Sequence, residues 1–273
     1  MVVGTTPYTD TKEAFPLDKK TLRKIAFRSF FTHAGENAET AASTGWTWAM
    51  EPGLKKTHSN PQDLAISLGH NLEFNDPSYL FSSYVMGVVL SLEAQKADPS
   101  VIRSLRTTLA LAASGLERAL VYGLWLPIML GAVYSMVSSG NAWGVVIVAA
   151  VSFLLHVILR FVLINVGYKG GTASAEKLIA KKDSWSKAAR ISGLFMTGAI
   201  IGFGSLLTGQ VGVHGMRASN AFLQPLVLAS QVVPGLIGLC AALVTYWLLT
   251  RKNWSMWKCA ILLIAVGFVI GML

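Results

Sequence analysis

Residues 143–166 read WGVVIVAAVSFLLHVILRFVLINV, an apolar stretch whose single formal charge is Arg160. A bilayer's hydrocarbon core of about 30 Å takes roughly 20 largely apolar residues in a helix, so this stretch reads as a membrane span. Four others are of the same kind, at 119–139, 189–209, 226–250 and 256–273. Two shorter runs, 79–92 and 107–116, cannot cross alone and read as buried, re-entrant or interfacial helices. The first hundred residues differ, being polar, charged and punctuated by Pro52, Pro61, Pro77 and Pro99. The expected fold is therefore all-α and polytopic, with about five transmembrane helices. Its expected organisation is a cytoplasmic or interfacial helical region over 1–76, short re-entrant or interfacial helices over 77–118, and a transmembrane domain over 119–273.

Composition points the same way. Of 273 residues, 53% are hydrophobic and 14% charged, against roughly 25% charged in an ordinary soluble domain. Such a chain fits neither a soluble enzyme nor a nucleic-acid-binding domain, and its 12 Phe, 8 Trp and 7 Tyr exclude disorder. No cleavable signal peptide is expected, since 1–16 lacks a basic region and an apolar core. Cys240 and Cys259 sit inside apolar runs, away from any metal or redox spacing.

The net charge of +9 then serves as a topology signal. Segment 168–190 reads as a basic loop, with Lys169, Lys177, Lys181, Lys182, Lys187 and Arg190 against Glu176 and Asp183. The turn 251–258 holds Arg251, Lys252 and Lys258 and no acid, whereas loop 210–225 has only Arg217 and the turn at Ser139-Gly140-Asn141 has no charge. Basic loops stay inside. Five crossings then place the amino terminus in the cytoplasm and the carboxyl terminus outside. Leu17–Phe31 reads as an amphipathic helix with Asp18 as N-cap. Leu22, Ile25, Ala26 and Phe30 form its stripe, with Lys19, Lys20, Arg23, Lys24 and Arg28 opposite. It either packs on the rest of the protein or lies on the anionic inner leaflet.

Several stretches occur in a familiar order: Arg28-Ser29-Phe30-Phe31, Asn37 and Glu39, Gly45-Trp46-Thr47-Trp48-Ala49-Met50 and Pro52-Gly53-Leu54-Lys55-Lys56. Then come Asn71-Leu72-Glu73-Phe74-Asn75-Asp76-Pro77, Met86-Gly87-Val88-Val89-Leu90-Ser91-Leu92-Glu93, Gly167-Tyr168-Lys169-Gly170-Gly171-Thr172 and Tyr246-Trp247-Leu248-Leu249. Over about 17–273 this resembles the IID membrane subunit of the mannose-fructose-sorbose family of bacterial sugar phosphotransferase systems. The resemblance implies a non-catalytic membrane subunit that pairs with IIC, the heterodimers assembling further as trimers. A hexose or amino sugar would move inward, coupled to phosphorylation by soluble IIA and IIB. It implies a multi-pass protein of the bacterial inner membrane, with the lipid bilayer and the sugar as its other partners and no nucleic acid. No cofactor, metal or phosphorylated residue is expected. The sequence departs from the family's Gly-Pro-Leu-Ala-Gly-Ile-Gly-Asp stretch, having Leu111-Ala112-Ala113-Ser114-Gly115-Leu116-Glu117-Arg118. His33, Ala38 and Thr40 likewise replace the family's usual Gln, Tyr and Arg. The Trp46–Met50 and Asn71–Phe74 wording leans toward the amino-sugar branch, of N-acetylgalactosamine or galactosamine type.

Within that frame, His33, Glu36, Asn37, Glu39, Glu117 and Arg118 are the candidate sugar contacts. Acids and amides hydrogen-bond sugar hydroxyls while neighbouring aromatic rings pack on the sugar's apolar face. Read blandly, the first four are ordinary polar surface. Glu117 and Arg118 either sit at a broken helix or start the 119–139 helix at the cytoplasmic edge; consecutive helical residues point about 100° apart, so they need not pair. His156 and Arg160, spaced i and i+4, share a helix face. Arg160 is read as a structural or partner contact. Gly198 and Gly202 form a GxxxG, a close-packing face within the subunit or against IIC. Two rival readings stand beside this one: a purely structural assembly subunit without sugar contacts, and a stand-alone secondary transporter.

Overall fold

Every residue from Ser82 to Glu93 is buried, and that helix is the axis around which the amino-terminal part of the molecule is built. A helix that is apolar on all sides has no solvent face and is stable only when surrounded. The computed structural model describes residues 7–141, 143–215 and 236–272. Among these, the chain is helical with connecting segments and has no strand; isolated backbone bridges join Asn37 to Ala41 and Ala41 to Asn75. The helices are α1 (Lys19–Arg28), α2 (Ser43–Thr57), α3 (Pro61–Asn71), α4 (Ser82–Ala94), α5 (Pro99–Glu117), α6 (Leu126–Ser138), α7 (Gly144–Gly215), α8 (Leu236–Arg251) and α9 (Met256–Met272). A 3₁₀ turn, Ser29–Phe31, follows α1, and a π-helical stretch, Arg118–Trp125, joins α5 to α6. The chain divides into two units, Met1–Ser192 and Gly193–Leu273.

In the first unit, α1 buries Leu22, Ile25 and Ala26 against a core that includes Trp46, Met50, Leu54, Met86, Leu90, Ile102, Leu109, Leu116 and Ile164. The apolar stripe of α1 is thus taken up by its own chain, and its basic residues lie on the exposed side. Asp18 stands at the N-cap position, but its carboxylate accepts from Thr21 and Lys56 and not from the helix backbone. The α3 and α5 starts carry working caps: Asn60 accepts from Gln62 N and Asp98 from Ser100 N, each followed by a proline at the first helical position. Pro52 lies inside α2, where its ring cannot donate to the carbonyl four residues back. That carbonyl, Trp48 O, accepts from the Arg28 guanidinium at 2.8 Å instead.

The long apolar helices behave differently from the expected pattern of short runs and loops. The 107–116 run is no separate element; it lies inside α5, and the helical path continues through the π stretch into α6. Pro99–Val137 and Gly144–Gly198 are long and apolar enough to cross a membrane. Val145, Val146, Ile147, Val151, Phe153, Leu154, Ile158 and Val162 on α7 face outward from the chain. Segment 168–190, expected as a basic loop, is helical. Its Ala, Glu, Lys and Leu content favours helix, and the one break is at Gly171, at φ 46° and ψ −139°. The turn after α6 is as expected: Gly140, at φ 84°, donates to Val137 O and Asn141 donates to Met136 O, closing the helix. Residues 210–215 of the expected 210–225 loop are helical, and the rest lie outside the described residues, as does the start of the expected 226–250 span. In the second unit, α8 and α9 are joined by a turn in which Trp254 N donates to Leu248 O at 3.1 Å.

Helix α4 meets α7 backbone to backbone. A Cβ on Gly87 would collide with Ile164 O and stand 2.7 Å from Tyr168 N, and one on Gly167 would collide with Tyr84 O. Helix faces this close admit only glycine. Replacing Gly87 by Leu is therefore expected to lower stability by about 3 kcal/mol or more, since overpacking typically costs 1–3 kcal/mol before backbone is displaced. Thermal unfolding of the detergent-solubilised chain measures it.

Candidate functional site

The segment Asp76–Phe81, between α3 and α4, is where Arg160, Glu117 and Glu36, three of the charged residues singled out from the sequence, meet. Arg160 reaches it from α7. Its Nη2 donates to Tyr79 O, its Nη1 to the carbonyl of Ser29 and, at 3.0 Å, to Ser29 Oγ, and its Nε to His156 Nε2 at 3.1 Å. The guanidinium also lies 4.6 Å from the centre of the Phe30 ring. Arg160 is 4% exposed. His156 and Arg160 share a helix face as expected and are hydrogen-bonded along it, and the other contacts run inward to Ser29 and Tyr79. With these donors engaged, Arg160 ties the Ser29 turn and the Tyr79 segment to α7.

Around Tyr79 stand the carboxylates. The His33 ring stacks on the Tyr79 ring with centroids 4.0 Å apart, and His33 Nδ1 is 3.3 Å from Glu36 Oε2. Asp76 offers an oxygen within 4.8 Å of both His33 and Glu36. Glu117 is buried and accepts from Leu80 N at 3.2 Å. Burial, then the negative fields of Glu36 and Asp76, with Tyr122 and Glu117 beyond them, push the Tyr79 phenol above its ordinary range. The helix is not broken at Glu117; it passes into the π-helical stretch there, a distortion that often accompanies functional sites. Glu117 points into the protein and Arg118 away from it, where its Nε donates to Ser114 O.

The remaining candidates lie on the 33–41 turn and on α7. Asn37 Oδ1 accepts from the backbone of Glu39 and Thr40 at 3.0 and 2.8 Å, holding the turn in which the 33–41 loop doubles back. Glu39 is exposed on that turn. A Cβ on Gly198 would meet nothing within 4 Å, so it packs on no other part of the described chain. Gly202 is helical, and its surroundings lie outside the described residues.

A second polar cluster went unread in the sequence. Glu93, at the end of α4, is fully buried. It accepts from Tyr8 Oη at 2.7 Å, His58 Nε2 at 2.8 Å and Ser67 Oγ at 2.8 Å, with His70 Nε2 at 3.1 Å. Lys96 Nζ donates to His58 Nδ1 at 3.0 Å, which fixes that imidazole as the tautomer with its proton facing Glu93. Beside it, Trp46 Nε1 donates to Asn71 Oδ1 at 2.9 Å. Burial alone would raise the Glu93 carboxyl, but the hydrogen bonds from His58 and His70, the charge of His70 and the Tyr8 hydroxyl hold it well below the usual carboxylate range. His58, His70 and Glu93 are too widely spaced in sequence for any motif to join them; the only linear signal is a carboxylate ending an apolar run.

Two expectations follow. Replacing Arg160 by Ala removes the charged donor shared by the Ser29 and Tyr79 carbonyls and is expected to destabilise the first unit by roughly 2–3 kcal/mol, as loss of hydrogen bonds to a charged group does. Lys, lacking the fork, restores only part of this; thermal unfolding of both variants gives the comparison. Glu93→Gln is expected to lose about 3–5 kcal/mol at pH 7. Because the folded carboxyl titrates below the unfolded one, its contribution is present above about pH 4.3 and lost as pH falls through the depressed value. The stability gap between wild type and Glu93→Gln therefore narrows on acidification, measurable as paired unfolding curves between pH 7 and pH 3.

Comparison with known proteins gives a consistent result. The profile of the "PTS system mannose/fructose/sorbose family IID component" matches residues 16–273. The mannose-specific EIID component of Escherichia coli strain K12 is 24% identical, the alignment covering 99% of this chain and 96% of that protein. The sorbose-specific EIID component of Klebsiella pneumoniae is 22% identical over 86% of this chain and 89% of its own. Among solved structures, a membrane protein superposes with a TM-score of 0.72 at 21% identity, over 94% of this chain and 96% of that one. A chain of the mannose transporter ManYZ, determined in complex with a microcin, gives a TM-score of 0.54 at 20% identity, with 96% of each chain covered. Profile, length and fold agree across nearly the whole sequence: this is an all-α membrane protein, and it belongs to the IID components of the mannose/fructose/sorbose family of phosphotransferase systems.

Proposed function

We propose that the chain works with a IIC subunit as the translocating part of a sugar permease, with IIA and IIB supplying phosphate to the incoming sugar. The observation that carries this reading is the family match over 16–273, at the full length of its mannose-specific relative. In this reading the sugar is a hexose or amino sugar, of N-acetylgalactosamine or galactosamine type before mannose type. The IIC–IID pairs form trimers in the bacterial inner membrane, with the amino terminus inside and the carboxyl terminus outside. The region 1–76 is cytoplasmic or interfacial, 77–118 supplies re-entrant or interfacial helices, and 119–273 carries the spans.

The Asp76–Phe81 segment is the proposed point of sugar contact. His33, Glu36 and Glu117 flank it, Asn37 and Glu39 form the adjoining turn, and Arg118 is the exposed cation at its edge. Imidazole, carboxylates and guanidinium hydrogen-bond hydroxyls strongly because one partner is charged. The Gly198–Gly202 face, open at Gly198, is the proposed seat of a IIC helix. A second reading, an assembly subunit without sugar contacts, draws on the inward commitment of Arg160 and of Glu117, both engaged with backbone groups.

Uptake and phosphorylation of labelled sugar in cells expressing the chain with its IIC, IIA and IIB partners separate these readings. Arg118→Gln and Glu117→Gln are expected to lower the uptake rate roughly 10-fold, as loss of a charge-assisted hydrogen bond does, while IIC still co-purifies. Unchanged uptake with assembly intact supports the assembly subunit. Flux by the purified chain alone in vesicles supports a stand-alone transporter.

A further inference from the structure

Three potential metal ligands meet at the tip of the 33–41 loop. One oxygen each from Glu36 and Asp76 and one ring nitrogen from His33 lie within 4.8 Å of one another. Donors bound to one divalent ion at about 2.1 Å stand roughly 3–4 Å apart, so a small side-chain adjustment closes the set. Two features of the surroundings distinguish it from a chance grouping of surface acids.

The first is that the ligands are held by groups that do not depend on them. Ala42 N donates to Asn75 O at 3.0 Å, Asn75 N to Thr40 O at 3.4 Å, and Asn37 and Ala41 exchange backbone hydrogen bonds at 3.2 and 3.0 Å. The loop carrying His33 and Glu36 is therefore laced to the strip of chain that ends at Asp76. The His33 side chain is only 14% exposed and its ring is fixed by stacking on Tyr79. The second is electrostatic. In a chain with an excess of nine positive charges, Glu36 and Asp76 have no Lys or Arg partner among the described residues; the only ion pair either makes is Glu36 with His33. Two carboxylates side by side repel unless a cation lies between them.

We propose that His33, Glu36 and Asp76 form a site for one divalent transition-metal ion of the zinc class. One imidazole nitrogen and two carboxylate oxygens suit such an ion, whereas magnesium and calcium favour all-oxygen sets. Three protein ligands on an exposed rim leave coordination positions open to water or a substrate oxygen. The ion fastens the 33–36 turn to the start of the Asp76–Phe81 segment, beside the Tyr79 carbonyl held by Arg160. The proposal stands apart from the sugar reading, since it concerns binding of the ion itself.

The test is titration of the tag-free, full-length chain in detergent with ZnCl₂, by calorimetry and by thermal unfolding. One ion per chain is expected, with an unfolding midpoint that rises with zinc and returns on adding EDTA. Glu36→Gln and Asp76→Asn, both at solvent-accessible positions, are each expected to weaken binding at least 10-fold without moving the metal-free midpoint. The absence of binding up to about 1 mM zinc, or equal binding by the Glu36→Gln/Asp76→Asn double variant, overturns the site. In the first case the acids are served by the hydrogen bond from His33 to Glu36 without an ion; in the second, zinc is held elsewhere on the chain.

Discussion

A guanidinium buried in an apolar helix has to find acceptors, and in this protein the acceptors chosen for Arg160 determine how the first unit is joined. An arginine cannot shed its charge, and α7 itself offers it only the His156 ring. Its remaining donors go to the carbonyls of Ser29 after α1 and Tyr79 before α4. Both belong to places where regular helix ends and backbone groups are left over. The charge is thus satisfied by backbone that still has lone pairs to offer, the Ser29 carbonyl also accepting from Thr32. The Asp76–Phe81 segment is held against α7 as a consequence, and Glu117 gains Leu80 N as its donor.

The Glu93 cluster follows the same logic with the sign reversed. A carboxylate at the end of a wholly buried helix gathers Tyr8, His58, Ser67 and His70 from separate segments. Replacing such a knot by well-packed apolar groups is often no worse for stability. What the knot supplies is a geometry that only one arrangement satisfies: Tyr8 at the amino-terminal strap, α2 and α3 must all be in register for Glu93 to be paired. Arg160 and Glu93 together tie the polar amino-terminal third to the apolar helices, alongside the Arg106 guanidinium donating to His70 O and Leu17 N donating to the Tyr168 hydroxyl. For a IID component, that binds the region carrying the loop residues 33–41 to the apolar helices.

Much of this was legible in linear form. The stripe of α1, the prolines opening α3 and α5, the uncharged turn at Gly140 and the i, i+4 relation of His156 to Arg160 each rest on contacts within a few residues. Errors arose where local reading met a longer context. Segment 168–190 looked like a loop because it is charged, yet its residues favour helix and only Gly171 interrupts them. The 107–116 run looked short because polar residues bound it, although helix continues on both sides. The acidic candidates scattered for a similar reason: Glu117 and Glu36 are 81 positions apart in sequence and share a neighbourhood only through Tyr79.

Periodicity, composition and ordered motifs thus determined the helical class, the apolar membrane character and the family, because these depend on local hydrophobic pattern and on resemblance along the chain. Tertiary structure alone decided which buried charges meet which partners. That Arg160 meets Ser29 and Tyr79, and that Glu93 is enclosed by two histidines, depends on how helices distant in sequence cross. A close approach such as that of Gly87 to Gly167 sets that crossing, and no single stretch of sequence records it.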